Sequence, residues 1–298
     1  MDDSQWVADR FEEHRARLRA IAYRMLGSVT DADDALQDAW VRARTSRADT
    51  GEIDNVGAWL TTVVARVCLN MLRARTIRSP EALGARLPDP VVSREGGLAP
   101  EEEALLADSV GLALLVVLDT LAPAERLAFV LHDMFDLPFD DIAPMVGRSP
   151  QAARQLASRA RRRVRGPDVP TPDPDVGRQR RVVDAFFAAA RAGDFDALVA
   201  LLDPDVVLRA DGSPGRPQVS ATVRGAPAVA RQARLGANPA ADLHPALVNG
   251  AAGVVITLQG QPHAVMAFTV AGGRIVEIDV FADPDRVGRI ASAFLAGG

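Results

Sequence analysis

Four prolines crowd into residues 166–177: Pro167, Pro170, Pro172 and Pro174. Each ring locks φ and removes a backbone donor, so neither a helix nor an inner strand can run through such a stretch. It therefore closes one folded part and opens another. Before it, apolar residues recur at spacings of three and four, the period of a helix. After it, alternating runs begin, the period of a strand. The expected chain is an all-α part followed by an α+β part.

In the helical part, Leu18, Ile21, Ala22, Met25 and Leu26 trace one face of an amphipathic helix. Residues 28–31 break it. Thr30 is placed to N-cap a second helix with Asp31, Asp33 and Asp34 in its first turn, where carboxylates favour the helix dipole. That helix runs on through Leu36, Trp40 and Val41. A polar loop over 45–55 precedes a third helix over 56–75. Residues 76–100 carry Pro80, Pro88, Pro90 and Pro100 and read as an extended linker, after which helical pattern resumes at Glu101. Beyond Gly177, helices are expected over 178–192 and 194–202, then strands over 254–258, 264–270 and 274–281. Gly272-Gly273 is the hairpin turn between the last two.

Residues 121–165 carry the strongest chemical message. A short helix over 139–145, a turn at Gly147, Ser149 as N-cap and Pro150 at the first helical position describe a helix-turn-helix. In its second helix Ala153, Ala157, Ala160 and Val164 form a small-residue stripe that can lie against the partner helix. Between Arg148 and Arg165 there are seven arginines (148, 154, 159, 161, 162, 163 and 165) and no acidic residue, in a chain whose net charge is -5. Gln151, Arg154, Gln155 and Ser158 lie near the helix start, where side chains donate to base edges in the major groove. The later arginines, Arg159 and Arg162 among them, are expected to meet phosphates.

A second pattern runs through AWLTTVVARVCLNMLRAR, residues 58–75. Leu60, Val63, Val64, Val67 and Met71 make a core face, while Arg66, Asn70 and Arg73 line up on another. Trp59, at the helix start, can stack on an unpaired base or anchor the core.

Composition narrows the function classes. At 298 residues the chain is long enough for two or three cores. The pI near 5.5 argues against a protein that coats nucleic acid indiscriminately, so any basic surface must be local. All 34 basic residues are Arg, which fits a GC-rich genome and weakens the meaning of any single one. The one cysteine, Cys68, sits in an apolar helical run and excludes both a disulfide framework and a cysteine zinc site within the chain. No apolar run approaches the roughly 20 residues of a membrane span, and the acidic N-terminus lacks a signal-peptide pattern. A soluble protein of the reducing cytoplasm is expected, with no metal and no cofactor.

Together, FEEHRARLRAIAYRMLGSVTDADDALQDAWVRA, AWLTTVVARVCLNMLRAR and GRSPQAARQLASRARRRV resemble regions two and four of the extracytoplasmic-function (ECF) sigma factors of the sigma-70 family. RRVVDAFFAAARAGDFDALVALLDPDVVLRADG is similar to the opening of a SnoaL-like, NTF2-like cone domain, an appendage found in one subgroup of these sigma factors. The resemblance divides the chain into region two (1–78), a linker (79–104), region four (105–166), a Pro-rich linker (167–177) and a SnoaL-like regulatory domain (178–298).

The resemblance also implies roles. Asp31, Leu36, Gln37, Asp38, Trp40 and Val41 would bind the clamp helices of the largest subunit of core RNA polymerase. Trp59, Arg66, Asn70, Arg73 and Arg75, with the loop over 45–57, would capture the melted minus-10 strand of promoter DNA. Region four would read the minus-35 duplex through Gln151, Arg154, Gln155, Ser158, Arg159 and Arg162. The subgroup's linker motif is matched by Arg86-Leu87-Pro88-Asp89-Pro90, its DGGG-like turn by Asp211-Gly212-Ser213-Pro214-Gly215, and its NPDK-like segment by Asp283-Pro284-Asp285-Arg286. Ser213-Pro214 departs from the glycines of that turn and removes a backbone donor. These segments would let the extra domain regulate in cis, with no separate anti-sigma factor required.

Two other classes compete. NTF2-like domains often enclose an apolar pocket where a carboxylate or His moves protons, which makes Asp211, His244, His263 and Asp279 the candidates of an isomerase or cyclase fused to a DNA-binding part. A ligand-responsive repressor would use residues 121–165 alone and leave the first hundred residues without a task. No G-x-x-x-x-G-K-[ST] loop is present, so strand opening would draw on binding energy rather than nucleotide hydrolysis.

Overall fold

The computed structural model describes residues 3–46, 55–78, 87–94, 111–164, 172–211 and 221–296. These fall into two compact units, one holding the described residues to Asp89 and from Leu114 to 164, the other holding 90–94, 111–113 and 172–296. Both helical regions thus belong to one unit, and the expected linker is divided between the two.

In the first unit, α1 (Asp3–Leu26), α2 (Val29–Ser46) and α3 (Val56–Arg78) pack on one another. The expected stripe of α1 is its core face: Leu18, Ile21, Ala22, Met25 and Leu26 are each exposed by 2% or less. From α2, Ala32, Ala35, Leu36, Ala39 and Ala43 meet it at helical spacing. The break between α1 and α2 is shorter than expected. Gly27, at φ 71, reverses the chain, and Ser28 rather than Thr30 caps α2, its Oγ accepting from the Asp31 backbone 3.4 Å away. Helix α3 buries Leu60, Val64, Val67, Cys68 and Leu69, whereas Val63 and Met71, expected in the core, are half-buried. Burial pushes the Cys68 thiol up to about 12, so it stays protonated and packs as a small apolar side chain.

The remainder of this unit is α4 (Leu112–Asp119) from Leu114 onward, α5 (Pro123–Phe129), a π-helical turn (Val130–Met134), α6 (Phe139–Val146) and α7 (Pro150–Val164). Buried Arg126 links the two helical regions. Its Nε donates to the Arg24 carbonyl of α1 at 3.1 Å, and its Nη1 pairs with Asp119 at 2.9 Å. Arg17 adds a bond to the Phe135 carbonyl at 3.0 Å. Residues 87–89 belong here too: the Asp89 N–H donates to the Gly27 carbonyl at 2.7 Å, and the Tyr23 hydroxyl donates to the Asp89 carbonyl at 3.0 Å.

The second unit is a seven-stranded sheet in the order β1-β4-β5-β6-β7-β2-β3, antiparallel throughout except where β2 runs parallel to β7. Its strands are β1 (Val92–Ser93), β2 (Leu202–Asp211), β3 (Ala221–Arg224), β4 (Ala241–Val248), β5 (Ala251–Leu258), β6 (Gln261–Ala271) and β7 (Arg274–Phe281). The extended linker expected over 76–100 therefore contributes a strand: the Val91 N–H donates to Asn249 Oδ1 at 2.8 Å, and Val92 pairs with Val248. Helix α8 (Val176–Ala192) starts at an Asp175 cap and ends on Gly193 at φ 69, and α9 (Phe195–Leu201) is capped by Asp194.

One face of the sheet packs against α8, α9 and α10 (Ala226–Gly236) around Val183, Phe186, Leu198, Val229, Val254, Phe268 and Ile278. Phe186, Phe187 and Phe268 meet edge to face at 5.6–5.8 Å. Arg180 fastens α8 to the sheet through the carbonyls of Gly253 and Ala246. Gly253 is required there, since a Cβ would stand 2.8 Å from the Met266 carbonyl oxygen. Helix α11 (Pro284–Ala296) packs on β6 and β1 and buries Val287, Ala291 and Phe294.

Candidate nucleic-acid interface

The helix-turn-helix forms as its residues dictate. Gly147 takes the left-handed conformation at φ 67 that ends α6, and the Ser149 Oγ accepts from the Ala152 N–H at 3.2 Å to start α7. Ala153, Ala157 and Ala160 are fully buried against the rest of the domain, while Val164 is half-buried. The opposite side of α7 is open: Gln151, Arg154, Gln155, Arg159 and Arg162 are exposed and Ser158 is half-exposed. Arg154 lies over the Phe139 ring, 5.2 Å from its centroid, which holds the guanidinium at the head of the helix.

Not every arginine of this segment points at open space. Arg159 Nε donates to Glu125 at 2.7 Å and Arg163 Nη1 to the same carboxylate at 3.3 Å, while Arg161 pairs with Asp133. Sequence reading missed both carboxylates, because they lie on α5 and on the π-helical turn, more than 25 residues away. Among the described residues, Arg148, Arg154 and Arg162 have no acidic partner.

On α3, Arg66, Asn70 and Arg73 are exposed along one face, and Trp59 is half-buried. Asn55 caps this helix, its Oδ1 accepting from the Ala58 N–H at 3.0 Å. Arg75 lies apart from that row. It donates to the Leu26 carbonyl at 3.1 Å and pairs with Asp31, which joins a residue expected at DNA to one expected at polymerase. On α2, Gln37, Asp38 and Val41 are exposed, Val41 by 57%. Trp40 is half-buried against Phe11 at 5.3 Å, and Leu36, exposed by only 2%, supports this face from the core instead of forming it. The loop expected at the melted strand lies, over 47–54, outside the described residues.

In the second unit, Asp211 and Arg286 form an ion pair. Arg286 stacks on Phe281 with 4.8 Å to the ring centroid, and its backbone N–H donates to Asp283 Oδ1 at 2.9 Å, so Asp283 caps α11. The DGGG-like and NPDK-like segments therefore meet at one point, with Asp285 exposed beside it. Gly212 and the residues after it to 220 lie outside the described residues. Leu87, Pro88 and Asp89 are held in the first unit, while Pro90 is buried in the second.

The four candidate proton carriers do not share the apolar face that packs against α8–α10. Strand alternation puts Arg209, Asp211, Glu277, Asp279 and Phe281 opposite Leu208, Ile278 and Val280. Asp279 is bound by Arg209 at 2.9 Å, and Glu277 by the same guanidinium at 2.6 Å. Burial, with Glu277 close by and Arg209 opposing, pushes the Asp279 carboxyl up to about 6. His244 Nε2 lies 2.9 Å from the Thr257 hydroxyl, and His263 is exposed. Among the described residues, no helix is long and apolar enough to cross a membrane.

Residues 10–77 match the Sigma-70 region 2 family and residues 111–164 the Sigma-70, region 4 family. The ECF RNA polymerase sigma factor SigJ of Mycobacterium tuberculosis is 38% identical over 289 residues, which span 93% of this chain and 91% of that protein. The probable ECF RNA polymerase sigma factor SigI of the same species is 34% identical over 98% of both chains. The crystal structure of the Mycobacterium tuberculosis SigJ superposes with a TM-score of 0.70 at 36% identity, covering 94% of this chain and 97% of that one. A likeness of that extent, through both helical regions and the α+β unit alike, places this chain in the family of ECF RNA polymerase sigma factors.

Proposed function

We propose that this protein binds core RNA polymerase in the cytoplasm and directs transcription initiation at specific promoters. The carrying observation is the pairing, in one chain, of two exposed polar helix faces suited to different forms of DNA. The row Arg66, Asn70 and Arg73 beside Trp59 suits an unpaired strand, where stacking and Arg contacts contribute roughly 1–3 kcal/mol per base. Extruding a base costs a few kcal/mol, so several such contacts are enough to hold open DNA without nucleotide hydrolysis. The exposed side of α7 suits duplex, with Gln151, Arg154, Gln155 and Ser158 at base edges and Arg162 at phosphate. Gln37, Asp38 and Val41 on α2 form the mixed apolar and acidic patch that would meet the polymerase clamp helices.

The α+β unit acts as a regulator in cis, in place of a separate anti-sigma factor, and is not an enzyme. Its buried carboxylates, Glu277 and Asp279, and partly buried Asp211 are tied in ion pairs on the face away from the apolar core, which supports a structural task for them.

Purified full-length protein added to core polymerase is expected to give promoter-specific transcripts; binding of DNA without any association with polymerase would overturn the reading in favour of a repressor. Arg154→Ala is expected to weaken promoter binding by about 1–3 kcal/mol and to relax base preference in the minus-35 element. Uniform weakening across all sequences would remove its base-reading role. Deletion of residues 178–298 is expected to change transcript yield strongly without changing which promoter is used, and a shift in promoter choice would count against regulation in cis.

A further inference from the structure

We propose that Glu125 and Asp133 are positioning residues for duplex recognition, which hold Arg159, Arg163 and Arg161 as internal props on the two flanks of α7 and keep them off the DNA phosphates. The inference rests on the reading of α7 as the duplex-facing helix and adds which of its arginines touch DNA. At 100° per residue, roughly, Arg159 and Arg163 fall to one side of the buried Ala153–Ala157–Ala160 stripe and Arg161 to the other. Glu125 takes both arginines of the first flank, at 2.7 and 3.3 Å, and Asp133 takes the third.

The carboxylates decide the matter. The Glu125 side chain is only 10% exposed and that of Asp133 18%, so an arginine that left for a phosphate would strand a desolvated negative charge beside the polyanion. Held in place, the arginines neutralise that charge and fix the rotation of α7 about its own axis from both sides. Gln151, Gln155, Ser158 and Arg162 then form an outward row at spacings of four, three and four, with exposed Arg154 beside it at the head of the helix.

The test measures how promoter binding by full-length protein with core polymerase depends on salt, together with discrimination among minus-35 sequences. Arg162→Gln serves as reference and is expected to lower the slope of log K against log salt by about 1. Removing one prop without changing net charge, by Asp133→Asn with Arg161→Gln, is expected to leave the slope unchanged and to lower base discrimination about three- to tenfold as the helix loses its rotational anchor. Glu125→Gln, which releases two arginines, is expected to steepen the slope by about 1 or more.

If the Asp133→Asn, Arg161→Gln pair lowers the slope as much as Arg162→Gln does, Arg161 is a phosphate contact and the positioning role is refuted while the duplex reading stands. An unchanged slope for Glu125→Gln would refute it on the other flank. If Arg162→Gln has no effect on slope or discrimination, α7 does not lie on the duplex, and both the functional reading and this inference fail.

Discussion

Arg209→Ala should destabilise the α+β unit by about 3–5 kcal/mol at neutral pH, the scale for removing one partner from a buried ion pair. The guanidinium serves two carboxylates at once, Glu277 at 2.6 Å and Asp279 at 2.9 Å, whose side chains are 8% and 3% exposed. Without it two desolvated acids would sit on one strand with no cation, and one Glu277 oxygen already lacks a partner. The loss would be read from the denaturant midpoint of the unit that retains the β-sheet signal. A loss under about 1 kcal/mol would mean that water reaches the pair and that burial is not its governing cost.

The same cluster has a pH signature with a definite sign. The Asp279 carboxyl is pushed up to about 6 from an ordinary 3.8, so between those values the folded protein binds a proton that the unfolded chain has released. Its stabilising contribution is present below pH 4 and is lost as pH rises through 6, an effect on the order of 3 kcal/mol. Asp279→Asn should flatten this part of the stability profile between pH 4 and 7 relative to the unaltered protein. Equal slopes in the two proteins would rule out Asp279 as the titrating group.

Arg126→Ala is expected to cost the helical unit about 3 kcal/mol, the lower end of the same range because Asp119 keeps a quarter of its side chain in water. Burial pushes the Arg126 guanidinium below its usual range, and the charge of Asp119 opposes that shift. Its removal also strips the Arg24 carbonyl of a donor. Arg126→Met combined with Asp119→Asn should recover part of the loss, since it removes the uncompensated carboxylate while keeping volume. Chemical unfolding followed by the helical signal would measure both. If the double substitution were no better than Arg126→Ala, the cost would be one of packing rather than charge.

Much of this arrangement was legible from residues near one another in the chain. The α1 stripe, the Gly147 turn, the Ser149 cap and the alanine face of α7 are local patterns, and each is where its spacing places it. The errors are also local. Thr30 and Ser28 are both good caps, and only the chain reversal at Gly27 decides between them. The sequence pattern does not mark β4 as a strand, because Asp242 and Pro245 interrupt its apolar alternation. In its register β1 pairs with Leu247 and Val248 and not with Pro245, whose missing N–H would cost a ladder bond.

The candidate interface divides along the same line. Which helix carries arginines is written in the sequence; which arginines are available is not. Arg159, Arg161 and Arg163 look identical to Arg162 in a list of basic residues, and the distinction rests on Glu125 and Asp133, brought beside them from earlier helices. Arg75 and Asp31, assigned to different partners, turn out to hold one another.

Periodicity, capping residues and the proline run determined by themselves that this chain is helical first and α+β afterwards, because those signals act within a turn or a strand and need no distant partner. Only the tertiary structure decided which charges are used up internally: Arg126 with Asp119, Arg209 with Glu277 and Asp279, Arg286 with Asp211, and Glu125 with two arginines. An ion pair depends on distance and burial across the fold, and neither quantity is encoded at the positions of the two residues alone.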